Sequence, residues 1–453
     1  MRLLLVPFLV LFPHGDCQRD ADVAPTPGGG AAAADHADRA VERTTSDWLS
    51  RLPDGEVKRR FILDCAGCHP LDDAVMTIAG RPRTREEWVR SVDLMLSFAG
   101  AHTGFPIMAP SRDAATTADW LAGHLTELPP AAAALTEASS WSVEEFPLPR
   151  ATDLPHDVAV TADGRVVVTG MMSHVLYVLD PETGAYEEIP IPVSGANPRA
   201  VEIGPDGAWW VVLGGPTTLA RRDPATGEWR TWDVGMYPHE AALDSAGRVW
   251  FNGHFTKEPE LLGFVDPSGA LEPVTLDVPV PTLQDGGSNI PYGLRVGPDG
   301  TVWMTELAGS RLIGLDPASG EFRVHPLPEP FSGPRRLDVA ADGTVWVPEF
   351  ATNRLAAFDP ATSRFREYEI PIPDALPYVA RVDPRTGAIW VSLAGAGAVV
   401  RFDPEREAFD VVPLPTRDGI VRHLSVDPRT GDVWGAYGSF PARSQHVFRI
   451  RAN

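Results

Sequence analysis

The sequence predicts a multidomain chain, a small all-α domain followed by an all-β seven-bladed propeller. Three observations carry this. A single C-x-x-C-H, Cys65-Ala66-Gly67-Cys68-His69, lies in text whose apolar residues recur at helical spacing. After residue 140 the text changes to the two-residue alternation of strands. There the pair Asp-Pro recurs at Asp180, Asp223, Asp266, Asp316, Asp359 and Asp403, at separations of 43, 43, 50, 43 and 44 residues. A repeat of that length holding several short strands is a propeller blade.

Composition sets the outer limits. Hydrophobic residues form 43% of the 453, enough for real cores in two or three domains. The 45 prolines and 41 glycines favour many turns over long helices. A formal net charge of −22 argues against nucleic acid or an anionic membrane surface as partner. Of three cysteines, two sit in the C-x-x-C-H, so no disulfide framework is implied and Cys17 is left over.

In chain order, residues 1–17 read as a secretory signal: Met1-Arg2, then an apolar run from Leu3 to Phe12. The run is too short to span a bilayer, so an integral membrane protein is not expected. The expected location is periplasmic or otherwise exported. Gly15-Asp16 makes a poor lipoprotein box before Cys17, so a lipid anchor there is not favoured. Residues 18–44, with Pro25-Thr26-Pro27-Gly28 and an alanine run, have the composition of a disordered linker. Residues 45–128 read as helical. One segment, Val57 to Leu63, leads into the C-x-x-C-H. A second runs from Thr84 to Phe98, with Trp88, Val92, Met95 and Leu96 at helical spacing and Thr84 with Glu87 as a capping box. A third runs from Asp113 to Leu128 with Trp120, Leu121 and Leu125 on one side. Residues 129–140 form a second linker, and 141–453 carry the repeats.

The C-x-x-C-H spacing has a chemical reason. Two thiols three positions apart can add to the two vinyl groups of one haem, and the adjoining imidazole reaches the iron. Cys65 and Cys68 would thus attach haem c covalently and His69 would ligate it. A zinc site would need two further ligands at motif spacing, and none follows. A thioredoxin-like redox motif would want a βαβ context and demands no histidine. Short helices around this motif resemble a small cytochrome c domain. That resemblance implies electron transfer, attachment outside the cytoplasm, and a methionine as sixth iron ligand. Met95, seven residues after Trp88, is slightly preferred; Met108, in the loop before the last helix, is the alternative. Met76 is too near the motif to reach round.

The propeller repeats carry a second marker, an Asp-Gly turn at Asp163, Asp206, Asp299 and Asp342, with looser versions near Asp244, Asp383 and Asp427, which makes seven. The WD signature is absent, and a β-solenoid would need a shorter repeat. Aligning the units gives a column after each blade's proline: His156, Arg199, His239, Tyr292, Arg335, Tyr378 and Arg422, with His423 beside it. All have a hydrogen-bonding tip, which marks the channel mouth. A second column reads Gly170, Leu213, Gly253, Glu306, Glu349, Leu393 and Tyr437, with His254 beside Gly253. Two carboxylates near imidazoles and cations can hold a divalent ion or act as base and acid; a water-filled polar channel is the plain alternative.

Pro291-Tyr292-Gly293-Leu294 with Asp299-Gly300-Thr301-Val302-Trp303-Met304-Thr305-Glu306, repeated over Pro334 to Glu349, resembles the virginiamycin B (streptogramin) lyases. That resemblance implies a Mg²⁺-dependent elimination that opens a cyclic depsipeptide, with His239, His254, Glu306 and Glu349 as catalytic candidates and Glu306 and Glu349 as Mg²⁺ ligands. Gly253 interrupts the Glu column, and the stretch from Pro281 to Ile290 reshapes the mouth. Elimination moves no net electrons, so a haem would add nothing to it. The leading expectation is an exported electron-transfer protein whose propeller binds a small-molecule substrate or a redox partner protein. The alternative is a streptogramin-type lyase with an accessory cytochrome domain. A metal-dependent lactonase would want an all-oxygen site, and a binding platform would need no chemistry at all.

Overall fold

The computed structural model describes residues 43–130, 135, 140–268, 272–417, 419–438 and 445–453. The expected signal segment 1–17, Cys17 and most of both linkers lie outside the described residues.

Five short helices come first: α1 (Thr45–Leu49), α2 (Glu56–Cys65), α3 (Asp73–Met76), α4 (Arg85–Ala99) and α5 (Ala114–His124). The capping box opens α4 as expected. Thr84 Oγ1 accepts from the Glu87 N–H at 3.3 Å, and Glu87 Oε2 accepts from the Thr84 N–H at 2.8 Å. Helix α2 runs two residues beyond the predicted segment, so Cys65 closes the helix and Cys68 lies in the loop after it. Helix α5 stops at His124, short of Leu128, and α1 and α3 are additions too short to show a period.

Seven four-stranded antiparallel sheets follow. Six are consecutive in sequence. The seventh combines Ile420–Val426, Val433–Gly438 and His446–Ala452 with Trp141–Pro147, which pairs with His446–Ala452 and closes the ring. At the join Trp141–Pro147 pairs along its whole length with His446–Ala452. The sequence markers have local physical causes. Each Asp of the Asp-Pro pairs accepts the backbone N–H two residues on, at 2.8 to 3.0 Å, which forms the turn between a blade's third and fourth strands. On each second strand a tryptophan fills the space between sheets: Trp210, Trp250, Trp303, Trp346, Trp390 and Trp434 are all buried. The first blade has Val167 instead.

The helices do not bury a core of their own. Trp48, Leu49, Phe61, Ile62, Leu63, Leu71 and Leu121 form one hydrophobic cluster with Ile290, Tyr292, Leu307, Phe350, Leu376, Tyr378 and Ile420 of the propeller. Polar contacts fix the seating. Ser46 N–H donates to Gly395 O at 2.9 Å and its hydroxyl to Pro373 O at 2.6 Å, while buried Lys58 pairs with Asp374 at 2.7 Å. The Arg60 guanidinium lies 4.2 Å over the Phe331 ring. The helical segment is a cap on the propeller's mouth.

Candidate functional site

The innermost strand of most blades starts at a proline and carries a bulge over the next three residues. A bulge breaks the in-and-out alternation. Both the first and second residues after the proline therefore reach the ring's centre, and two layers of side chains result.

The deeper layer is closed by charge pairing. Arg336 Nη1 donates to Asp157 Oδ2 at 2.7 Å, joining the fifth blade to the first, which can meet only across the centre. Arg381 Nη2 donates to His423 Nε2 at 2.6 Å, and His423 Nδ1 donates to Val158 O at 3.0 Å, so this histidine is a neutral relay. Arg295 pairs with Glu240 at 2.9 Å and with Glu202 at 3.1 Å. Burial pushes against ionisation of Asp157, but the charge of Arg336 and the bond from His156 hold it well below the usual carboxylate range. Glu202, Glu240 and His423 sit close enough together to share a metal ion. The guanidinium groups of Arg295 and Arg381 stand against those same atoms, which disfavours a divalent cation there.

The upper layer faces the cap. His239 and His254 stack with ring centroids 4.3 Å apart. Their Nδ1 atoms donate to the carbonyls of Tyr292 and Pro291 at 2.9 and 2.8 Å, which fixes both tautomers and leaves each Nε2 with no partner among the described residues. Burial lowers both, His254 to about 3, so both rings are neutral. Tyr292 and Tyr378 share a short hydroxyl–hydroxyl bond, and Arg335 Nη1 donates to the Tyr292 hydroxyl at 2.6 Å. The Arg335 guanidinium also lies 3.9, 4.4 and 4.8 Å from the rings of Phe350, Tyr378 and Tyr292. Gly293 makes this crowding feasible, since any side chain there would meet the backbone of Arg335 and Arg336.

Of the four expected catalytic residues, the structure brings together the two histidines only. Glu306 faces Arg311 across its hairpin and pairs with it at 3.0 Å. Burial, then the neighbouring Glu260, raise its carboxyl to about 9. Glu349 faces Arg354 in the same way and accepts the Thr352 hydroxyl at 2.7 Å; burial raises it to about 8. Neither carboxyl bonds to His239 or His254 among the described residues. In each Trp-x-x-Glu the glutamate stands opposite an arginine across its hairpin.

The C-x-x-C-H loop rests directly on this layer. Arg422 Nη2 donates to Cys68 O at 2.8 Å. Gly67 sits against the Arg335 guanidinium, so closely that a Cβ would collide with it. Phe105 of the cap packs on Tyr237 and Phe255, with ring centroids 6.2 and 5.0 Å away. Cys65 and Cys68 are free thiols. Burial pushes Cys65 up to about 12, so it is not the low-pKa thiolate of a redox C-x-x-C, and Cys68 is the exposed member of the pair. They do not converge with His69 into a metal-type cluster, which speaks against zinc. His69 Nδ1 lies 3.0 Å from Pro70 O, an arrangement that orients a ligating imidazole and frees Nε2 for iron. The donor set therefore fits a covalently held haem. Met108 is buried in a loop tied to α2 by the Ala109 N–H to Asp64 bond at 3.2 Å and by the Arg112–Asp64 pair at 2.6 Å. Met95 is half-buried on α4.

Sequence reasoning missed the residues that stitch the mouth. Thr169, Asn252, Thr305 and Ser392, one before the end of their strands, each accept an N–H of their own innermost strand. Each also donates to the carbonyl of Arg199, Tyr292, Arg335 or Val421 on the next blade. Their recurrence beside the Glu column is visible in the repeats once that column is aligned.

Comparisons with known proteins agree with the propeller. Residues 282–437 match the model of the virginiamycin B lyase family. No curated protein matches the chain. A streptogramin B lyase structure superposes with a TM-score of 0.61 at 20% identity, covering 70% of this chain and 100% of that one. Selenomethionine-substituted virginiamycin B lyase from Staphylococcus aureus gives 0.60 at 18%, covering 69% and 99%. Kuenenia stuttgartiensis hydrazine synthase gives 0.53 at 18%, covering 67% and 97%. At these identities the likeness is one of fold: the described strands form a seven-bladed propeller, preceded by a helical cap.

Proposed function

We propose that this is a c-type haem protein that transfers electrons, with the propeller mouth as the chamber where a small-molecule substrate binds. The single observation that carries this reading is the seating of the C-x-x-C-H loop on the mouth, Arg422 on the Cys68 carbonyl and Gly67 on Arg335. Cys65 and Cys68 would hold the haem by thioethers and His69 would ligate its iron, with Met108 or Met95 opposite. The bound haem would supply one-electron transfer. The chain's own residues do the rest. The cap excludes bulk water from the mouth, and the paired histidines offer two Nε2 atoms to accept or return protons. The tyrosine pair and Arg335 orient whatever enters.

The lyase alternative, opening a cyclic depsipeptide with Mg²⁺, has less to support it. Tyr292, Tyr378, His239 and His254 are buried beneath the cap, which leaves no approach for a large ring substrate. Glu306 and Glu349 are engaged elsewhere.

The test is expression with cytochrome c maturation, followed by intact mass and a visible spectrum. A mass increase of one haem that is lost in Cys65→Ala/Cys68→Ala supports the reading. A chain that matures without added mass and linearises a streptogramin B in Mg²⁺ would overturn it.

A further inference from the structure

Three arginines of the mouth have no acidic partner. Among the described residues, Arg199, Arg335 and Arg422 appear in no ion pair. Arg199 donates to Asn197 Oδ1 at 2.9 Å, Arg335 to the Tyr292 hydroxyl, and Arg422 to the carbonyls of Cys68 and Ile420. All three stand around the loop that carries Cys68: Arg422 reaches the Cys68 carbonyl at 2.8 Å, Arg335 lies against the adjoining Gly67, and Arg199 stands 6.0 and 5.6 Å over the rings of Phe105 and Tyr237. Arg335 and Arg422 are 2% and 4% exposed, and Arg335 Nε has no partner among the described residues. Elsewhere in the channel every buried arginine stands opposite a carboxylate: Arg336 with Asp157, Arg295 with Glu240, Arg381 with Glu240.

Buried guanidinium groups lacking a counter-charge are costly, and the cost is removed by an anion that accepts their N–H groups. A planar guanidinium fork matches a carboxylate, bidentate, better than it matches a spherical ion. The rings of Tyr237, Tyr292 and Phe105 stand around these guanidinium groups, and His239 and His254 pack against the same rings. We propose that Arg199, Arg335 and Arg422 form a binding site for a small carboxylate, held beside Cys68 at the junction of cap and propeller. This names the substrate class of the chamber and rests on reading the mouth as one. It also accounts for a cationic centre in a chain whose net charge is −22.

The experiment is calorimetric titration of sodium formate and sodium oxalate into the full-length haem-loaded chain in chloride-free buffer. Loading is verified by mass, and the haem reduction potential is read with and without oxalate. Saturable binding of one carboxylate per chain is expected. Arg199→Gln, a half-exposed position that folding should tolerate, should weaken it by about tenfold or more. Arg335→Lys should weaken it too, since a point charge replaces the fork. Arg230→Gln, on an outer strand, should leave it unchanged. Absence of saturable heat, or affinity equal to the parent in Arg199→Gln, overturns the site. Loaded chain that binds no carboxylate refutes this inference alone. Failure to load refutes the haem reading, and the same titration on haem-free chain still decides the carboxylate site.

Discussion

The guanidinium of Arg422 donates a 2.8 Å hydrogen bond to the carbonyl of Cys68 across the junction between propeller and cap. It ties the last blade to the loop that carries the C-x-x-C-H. Beside it, Gly67 lies against Arg335, itself wedged among Tyr292, Phe350 and Tyr378. The chemistry-bearing loop and the channel mouth are one assembly.

Gly67→Ala tests that assembly. The new methyl would meet the Arg335 guanidinium, which its three rings prevent from moving aside. The expected result is a loosened cap over an intact propeller, at a cost of about 1–3 kcal/mol. Hydrogen exchange should show faster exchange in α1 and α2 with the blade strands unchanged. Equal protection in both proteins would mean that the contact is not tight.

Asp157→Asn tests the deeper layer. Removing this charge leaves Arg336, fully buried, without its partner, and about 3–5 kcal/mol of destabilisation is expected by chemical denaturation. The pH dependence has a definite sign. Because the folded carboxyl lies below its unfolded value near 4, its stabilisation is full above pH 4 and lost as pH falls below it. The variant should lack that part of the acid transition.

Trp390→Ala addresses the ring closure. Trp390 is 1% exposed and meets Trp141, on the strand that closes the ring, edge-on at 4.9 Å. The truncation should cost about 3–5 kcal/mol and lower Tm, without touching the mouth. A near-native Tm would show that the closing strand is not held by this pair.

Much of the fold was legible because its signals are local. An Asp that binds the N–H two residues on, or a glycine at positive φ such as Gly300 or Gly343, writes its turn into the sequence at each repeat. The first mouth column was legible for the same reason, since every member but Arg422 follows a proline. The charge layer beneath it was not, because the bulge that turns Asp157, Glu240 and His423 inward breaks the two-residue alternation. The partners of the Glu column were not legible either, because each strand-end glutamate meets an arginine, Arg311 or Arg354, that lies across its hairpin. The seating of the cap, which makes Cys68 a neighbour of Arg422, joins residues 354 positions apart and left no mark in the pattern.

Glu306 yields a prediction of opposite sign to Asp157. Burial and the nearby Glu260 raise its folded carboxyl to about 9, against an ordinary value of 4.5. Between those values the folded state holds a proton that the unfolded chain releases, so the folded state loses relative stability as pH rises from about 5 to 9. Glu306→Gln keeps the shape and removes the titration. It should match the parent near pH 5 and surpass it in Tm near pH 8, with a flatter profile between. A catalytic carboxylate at this position would give the reverse pattern, unchanged stability with lost turnover. Thermal melts of both proteins across that range, run beside a streptogramin linearisation assay, separate the two: a flattened profile marks a buried structural acid, and parallel profiles would return Glu306 to the list of ionised groups.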